Sequence, residues 1–187
     1  MELPYFHDLN FEQKDLIVQA EYENCTFNNI NFCEINLSEF KFITCHFNFC
    51  NLSLTKINKT SFQDVRFKDC KMLGLRFDDC TQFRLSLSFH NCQLNHSSFF
   101  KVKIKNITFM NSQLVGVDFT EADLYSVVFD NCDLQNAIFE HTKLEKADFS
   151  TSYNYSFDPE INNIKGAKFS LQGVVGLLEK YGIVIEI

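Results

Sequence analysis

The sequence predicts an all-β repeat fold from two observations: a large apolar residue recurs at every fifth position, and a smaller residue stands two positions before it. A period of five matches neither the period of a helix, about 3.6, nor that of a strand, about 2. Residues i and i+2 point the same way on an extended backbone, so each unit turns two side chains inward and then bends. Sustained along a chain, such a period indicates a repeat architecture.

The large residues fall in two registers that are separated by a slip of two positions. The first runs from Phe27 to Phe77 and the second from Phe89 to Phe149. The smaller inward residue and a polar residue after it are plain in the following units: Ala122-Asp123-Leu124, Cys132-Asp133-Leu134 and Ala147-Asp148-Phe149.

These units resemble the A(D/N)LXX repeat of the pentapeptide-repeat family, and the resemblance covers about residues 20–169. It implies a right-handed quadrilateral β-helix with four units per coil. A period of 20 residues then sorts the side chains into columns. One column holds Phe89, Phe109, Phe129 and Phe149, and the column opposite holds Phe99, Phe119 and Phe139.

The register divides the chain into three parts. Residues 1–19 lack the repeat and are expected to form an N-terminal cap, while residues 20–169 form the β-helix. The slip lies at residues 78–88. Two interpretations stay open: a β-bulge that absorbs two residues, or a short projecting loop, as in relatives that bind topoisomerases.

Residues 170–187 are predicted to form a capping α-helix and a short strand. Ser170 is a suitable N-cap and Gly182 a suitable stop, and the strand would lie at 183–185. A solenoid end exposes its core and must be covered. In topoisomerase-binding relatives a similar element also makes a homodimer, which implies a dimer interface on one helical face: Leu171, Val174, Val175, Leu178 and Tyr181.

The eight cysteines are interpreted as reduced, because most occupy the small inward track, where a free thiol behaves as a small buried hydrophobe. No secretory signal is visible at the N-terminus, so a cytoplasmic protein is expected, and the family resemblance implies a bacterial one. No apolar run reaches the roughly 20 residues of a membrane span. The scattered histidines, the missing phosphate loop and the missing nucleophile elbow predict no enzyme, no metal and no cofactor.

Charge is unevenly distributed along the chain, whose formal net charge is −7. Residues 56–105 carry a net charge of +6 and residues 118–149 a net charge of −6. The acids of the second segment are the candidate partner-binding surface: Asp118, Glu121, Asp123, Asp130, Asp133, Glu140, Glu145 and Asp148. By register they spread over all four faces, so a solvated surface is the alternative interpretation.

Two interpretations of the function stay open. A rod with clustered negative charge resembles duplex DNA, with one charge per ~1.7 Å of axis. The Qnr-type and microcin-immunity relatives act on DNA gyrase and topoisomerase IV, which implies a homodimeric, non-enzymatic DNA mimic that lessens inhibition by quinolones or a peptide toxin. Neither direct nucleic-acid binding nor membrane binding is expected. The alternative is a pentapeptide-repeat scaffold or interaction module unrelated to topoisomerases.

Overall fold

Short parallel strands stack into a solenoid in the computed structural model of the protein, which describes residues 3–186. The strands are β1 (Tyr5–His7), β2 (Asn10–Glu12), β3 (Glu21–Glu23), β4 (Thr26–Asn28), β5 (Lys41–Ile43), β6 (His46–Asn48), β7 (Ser61–Gln63), β8 (Val65–Lys68), β9 (Leu87–His90), β10 (Thr108–Met110), β11 (Val128–Asp130), β12 (Asp148–Phe149) and β13 (Lys168–Phe169). The helical segments within the described residues are short 3-10 turns: Phe77–Asp79, Gly173–Leu177 and Glu179–Tyr181. Residues 1, 2 and 187, which the sequence assigned to the two terminal segments, lie outside the described residues.

The strands and bridges form four faces around one core. Face 1 is a nine-stranded sheet that contains β2, β4, β6 and β8 to β13. Face 4 begins as the four-stranded sheet β1-β3-β5-β7 and continues in the bridge Lys103↔Asp123. Single parallel bridges form face 2, as in Gln113↔Asp133, and face 3, as in Asp118↔Ile138. A partner spacing of four units confirms the predicted quadrilateral β-helix.

The solenoid extends beyond the predicted repeat at its N-terminal end. Phe6 of β1 pairs with Tyr22, and Phe11 of β2 pairs with Phe27. These partners are 16 residues apart in sequence, four fewer than in the regular coils, because residues 13–19 cross two faces by a short route. With nine strands in face 1 and a strand spacing of roughly 4.8 Å, the solenoid is about 38 Å long.

Stacked phenylalanine rings fill the core in the columns that the 20-residue period predicts. Phe109 stacks on Phe89 at 4.9 Å and on Phe129 at 5.3 Å between ring centroids. In the opposite column Phe119 stacks on Phe139 at 5.1 Å. The two columns meet edge to face, with 76° between the planes of Phe109 and Phe119. Parallel-offset and edge contacts each contribute about 0.5–1.5 kcal/mol beyond burial of area.

The small inward residues also act as hydrogen-bond donors to the preceding coil. The Thr60 hydroxyl donates to Leu37 O at 2.6 Å, and the Thr142 hydroxyl donates to Phe119 O at 2.9 Å. Thiols do the same, as when Cys70 Sγ donates to Phe47 O at 3.3 Å. All eight cysteines are free, and all but Cys33 are buried, as the inward register predicts.

The slip at 78–88 is absorbed locally. Thr81 N–H donates to Thr60 O at 2.8 Å, and Ser86 N–H donates to Phe62 O at 3.1 Å. The ladder to the preceding coil therefore holds on both sides, and the two extra residues are confined to a turn at 82–85.

The C-terminal segment corrects the predicted α-helix. Residues 173–177 and 179–181 form 3-10 turns, and residues 183–186 form no strand. The physical reason is close packing on Tyr155. A Cβ at Gly173 would lie 1.9 Å from Tyr155 Oη, and a Cβ at Gly176 would lie 1.9 Å from Tyr155 O. The glycines that allow this approach also weaken a regular α-helix, by about 1 kcal/mol each. Residues 170–186 are called the C-terminal cap below.

Candidate protein-binding surfaces

The predicted acids lie on all four faces, as the register indicated. Asp118 and Glu140 occupy adjacent coils of face 3, and Asp130 and Asp148 occupy adjacent coils of face 1. Asp133 lies on face 2. The other three belong to face 4 or its edge: Glu121, Asp123 and Glu145. The structure therefore brings together pairs of acids rather than one continuous acidic face.

Lysines one coil away neutralise part of this surface. Lys105 Nζ lies 2.8 Å from Asp123 Oδ2, and Asp123 itself is only 7% exposed. The hydrogen bond to Asp123 raises the pKa of Lys105. Lysines also pair with Glu121 at 3.5 Å and with Asp148 at 3.2 Å. These three acids therefore form ion pairs within the solenoid, and their negative charge is partly neutralised.

The remaining five have no basic partner within residues 3–186 and are called the unpaired acids: Asp118, Asp130, Asp133, Glu140 and Glu145. Most of them accept hydrogen bonds from neutral groups. Asp118 Oδ1, for example, accepts from Thr120 N at 2.8 Å, in a turn that the carboxylate itself closes.

The basic segment 56–105 forms no single basic face. Arg66 and Lys68 lie on face 1, where His46 and His90 are their neighbours in the adjacent strands. The other basic residues are distributed over the remaining faces and corners. A turn-tip pair projects at the register slip: Phe83 is 69% exposed, and the Arg84 guanidinium lies 5.3 Å from its ring centroid.

The predicted dimer residues do not share one face in the structure. A 3-10 turn has about 3.0 residues per turn, so positions chosen for an α-helix diverge. Val174 packs against the core and Leu178 is half-buried, whereas Leu171 and Tyr181 are exposed. Val175 is also exposed, at 37%.

The cap nevertheless presents an apolar end patch, which adds three residues that were predicted as a strand. Its members are Leu171, Val175, Leu178, Tyr181, Ile183, Val184 and Ile185. Leu177 faces the other way and is buried against the solenoid. Sequence reasoning missed Leu177 because it assumed a period of 3.6.

Lys180 ties the cap to the last coil. Its Nζ lies 2.6 Å from Asp158 Oδ1 and 2.7 Å from Glu160 Oε2. These two carboxylates raise the pKa of Lys180, and Lys180 lowers the pKa of each. Tyr181 donates to Glu160 Oε1 at 2.8 Å. The orientation of the patch is thereby fixed relative to the solenoid.

Among the described residues there is no cluster of three or more side chains suited to a metal ion. None of the helices within residues 3–186 is long and apolar enough to span a membrane.

Comparison with known proteins finds one matching family model and several similar solved structures. Residues 85–154 match the family model described as the pentapeptide repeat region. The whole structure is similar to a trypsin-treated variant of QnrB1, a plasmid-mediated fluoroquinolone resistance protein, with a TM-score of 0.58, 18% identity and 99% coverage of each chain. A second trypsin-treated QnrB1 variant gives a TM-score of 0.58, with 19% identity and 99% coverage of each chain. No curated protein matches the sequence significantly.

At such identities the likeness to QnrB1 concerns the fold. The family match, the five-residue register on both sides of it and the four-faced coil agree with one another. Residues 85–154 thus match the pentapeptide repeat region, and they lie within a four-faced β-helix that the rest of the repeat continues.

Proposed function

We propose that the protein is a homodimeric, non-enzymatic binding protein of the bacterial cytoplasm that binds DNA gyrase or topoisomerase IV. Its binding would lessen inhibition by fluoroquinolones or by a peptide toxin. The observation that carries this proposal is the likeness to QnrB1, a fluoroquinolone resistance protein, over 99% of both chains. A likeness of this extent includes both ends of the solenoid and not the repeat alone.

The unpaired acids support an electrostatic role in this binding. Asp118 and Glu140 are close together on face 3, because Asp118 bridges to Ile138 and Glu140 follows two residues later. Neither has a basic partner within residues 3–186. A partner that accepts DNA through a basic saddle would be attracted by such charges.

The apolar end patch supports the homodimer. Exposed apolar groups that are contiguous usually mark an interaction site, and Val184 is 88% exposed within this patch. In a tail-to-tail dimer the segments 118–149 of two copies would flank the centre. The negative charge of both would then lie on the middle of one rod.

DNA supercoiling by gyrase in the presence of a fluoroquinolone tests the proposal. We expect the wild-type protein to restore supercoiling. The double reversal Asp118→Lys/Glu140→Lys should require at least tenfold more protein for the same protection. Asp123 is left unchanged because its pairing with Lys105 stabilises the fold.

The matched control is Glu34→Lys/Asp64→Lys, which reverses two exposed corner acids in the N-terminal half. It should protect as well as the wild type. Equal protection by both double variants would remove the charge argument while leaving topoisomerase binding intact.

The second candidate function is a scaffold or interaction module with no link to topoisomerases. The lysine partners of Glu121, Asp123 and Asp148 favour it. Ion pairs between adjacent coils are typical of charges on a solvated surface, and they reduce the resemblance to DNA. Absence of any effect of the wild-type protein on gyrase, at every ratio tested, would support this candidate over the first.

A further inference from the structure

A groove of about 610 Å³ runs between the last coils and the C-terminal cap. Residues 135–136 and 154–156 form one wall, and one side of segment 172–179 forms the other. Its volume lies within the range of ligand sites, roughly 300–1,000 Å³. This amide groove is separate from the unpaired acids on face 3.

Carboxamide side chains dominate the lining. Gln135, Asn136 and Gln172 are exposed, and none of the three side chains has a hydrogen-bond partner within residues 3–186. Each offers both a donor and an acceptor. Asn154 differs, because its Nδ2 donates to Asp133 Oδ1 at 2.9 Å.

A buried hydroxyl adds a second, independent observation. Tyr155 is 4% exposed, lines the groove, and its Oη has no hydrogen-bond partner in the described part of the chain. Ser170 Oγ is close to it and accepts from Gly173 N at 2.9 Å, which leaves the Ser170 proton free to point at the Tyr155 oxygen. Buried polar groups are rarely left without a partner, so the Tyr155 O–H proton, which has no acceptor in the described part of the chain, indicates a missing acceptor.

The chemistry of the lining selects among ligand classes. Glu179 is its one ionisable carboxylate, and the lining includes no lysine or arginine, which disfavours phosphate. Saccharides and nucleobases usually stack on an aromatic face. The Tyr155 ring packs instead into the core, at 5.3 Å from Phe149 and 5.9 Å from Phe169 between centroids.

We propose that the amide groove binds an extended peptide segment of a protein partner. Free carboxamides match the alternating N–H and C=O groups of a peptide main chain. Glu179 already accepts from Ser156 Oγ and retains capacity for a lysine or arginine of that segment. The inference rests on a protein partner but on no particular one, so it is independent of gyrase.

Two immobilised libraries of nine-residue peptides test this site with the full chain. Both are random except at the central position, which is lysine in one and glutamate in the other. We expect the wild-type protein to retain peptides from the lysine library and few from the glutamate library. Equal retention from both libraries, or retention from neither, overturns the proposal.

Variants then locate the binding of a selected peptide by fluorescence anisotropy. Gln135→Ala/Gln172→Ala should weaken binding at least tenfold. The matched control Asn58→Ala/Gln93→Ala removes two exposed carboxamides elsewhere and should leave the affinity unchanged. A groove variant that shifts only the dimer dissociation constant would overturn the proposal in favour of an interface between copies.

Tyr155→Phe distinguishes ligand binding from packing. Removing the hydroxyl should weaken peptide binding about fivefold while the midpoint of thermal unfolding stays unchanged or rises. Unchanged affinity of Tyr155→Phe would show that the hydroxyl binds water rather than the peptide, so that Tyr155 is not part of the site. Together with unchanged affinity in Gln135→Ala/Gln172→Ala, it would overturn the proposal.

Discussion

At the scale of single residues, the corners of the solenoid hold backbone strain. The residue two positions after each large inward residue usually has a positive φ, and many of these residues are not glycine. The left-handed region costs an L-residue roughly 1–2 kcal/mol, and asparagine tolerates it better than most. Thr44 is the β-branched exception, with a φ of 52°. A residue that adopts a positive φ at lower cost should therefore reduce the strain at position 44.

We predict that Thr44→Asn stabilises the protein by about 0.5–1 kcal/mol, because asparagine adopts this conformation at lower cost. The reciprocal change is Asn106→Thr, at a corner of the same column with a φ of 55°, and it should destabilise by a similar amount. Differential scanning calorimetry would register shifts of roughly 2–4 °C per kcal/mol. Shifts of the same sign in both variants would contradict the argument.

The inward hydroxyls should also contribute measurably. Thr60→Val keeps the shape of the side chain but removes the bond to Leu37 O, which is 2.6 Å long. We expect a loss of about 1 kcal/mol, because Leu37 O keeps its turn bond from Phe40 N. Urea unfolding measures the change. Thr120→Val, at a partly exposed outward position, is the control and should shift stability by no more than about 0.5 kcal/mol.

Burial of the inward track was predictable from the sequence, and its hydrogen bonding was not. Period and hydrophobicity alone place Thr60 and Cys70 inside. Their acceptors lie 23 residues earlier, on the preceding coil. A local pattern describes one unit, whereas this bond exists only after two coils have stacked.

At the scale of elements, the cap and the first coil depart most from the sequence-based expectations. The apolar spacing of 171–181 suits an α-helix, but Gly173 and Gly176 meet Tyr155 too closely for one. The first coil was not predicted, because its paired residues are 16 positions apart in sequence rather than 20. Both misses have one physical cause, since each depends on a contact between segments distant in sequence.

Gly176→Ala should displace the cap. Its Cβ would meet the Tyr155 carbonyl oxygen at 1.9 Å, a backbone atom that cannot rotate away. We expect a loss of about 1–3 kcal/mol, typical of overpacking, measured by urea unfolding. Gly182→Asn is the control, because a Cβ there meets open space and asparagine accepts the φ of 59°. Equal stability of the two variants would show that the cap is not held by this contact.

At the scale of the whole molecule, the inward residues of the repeat build the core of the solenoid. Recognition of a partner therefore depends on the outward residues and on the two ends. Face 1 runs the full length of about 38 Å, with basic residues on β8 and acidic residues on β11 and β12. The charge segments were readable from the sequence. Their lysine pairing was not, because Lys105 and Asp123 meet only across adjacent coils. Both ends of the rod expose apolar side chains, such as Leu9 and Leu16 at the N-terminal end. The apolar end patch differs in that it lies at the end next to the acidic segment 118–149, where association would bring those charges together.

The oligomeric state should therefore depend on the C-terminal end. We expect the full-length chain, of 21.8 kDa, to scatter light as a dimer whose length is about twice the 38 Å estimated from strand spacing. Val175→Lys/Ile183→Lys places charge at two accessible positions of the apolar end patch and should give a monomer, because charges buried without partners are costly. Leu9→Lys/Leu16→Lys changes exposed residues at the opposite end and should leave the dimer intact. A wild-type monomer at high concentration, or a dimer lost only in the N-terminal variant, would remove the shared acidic centre from the proposed function.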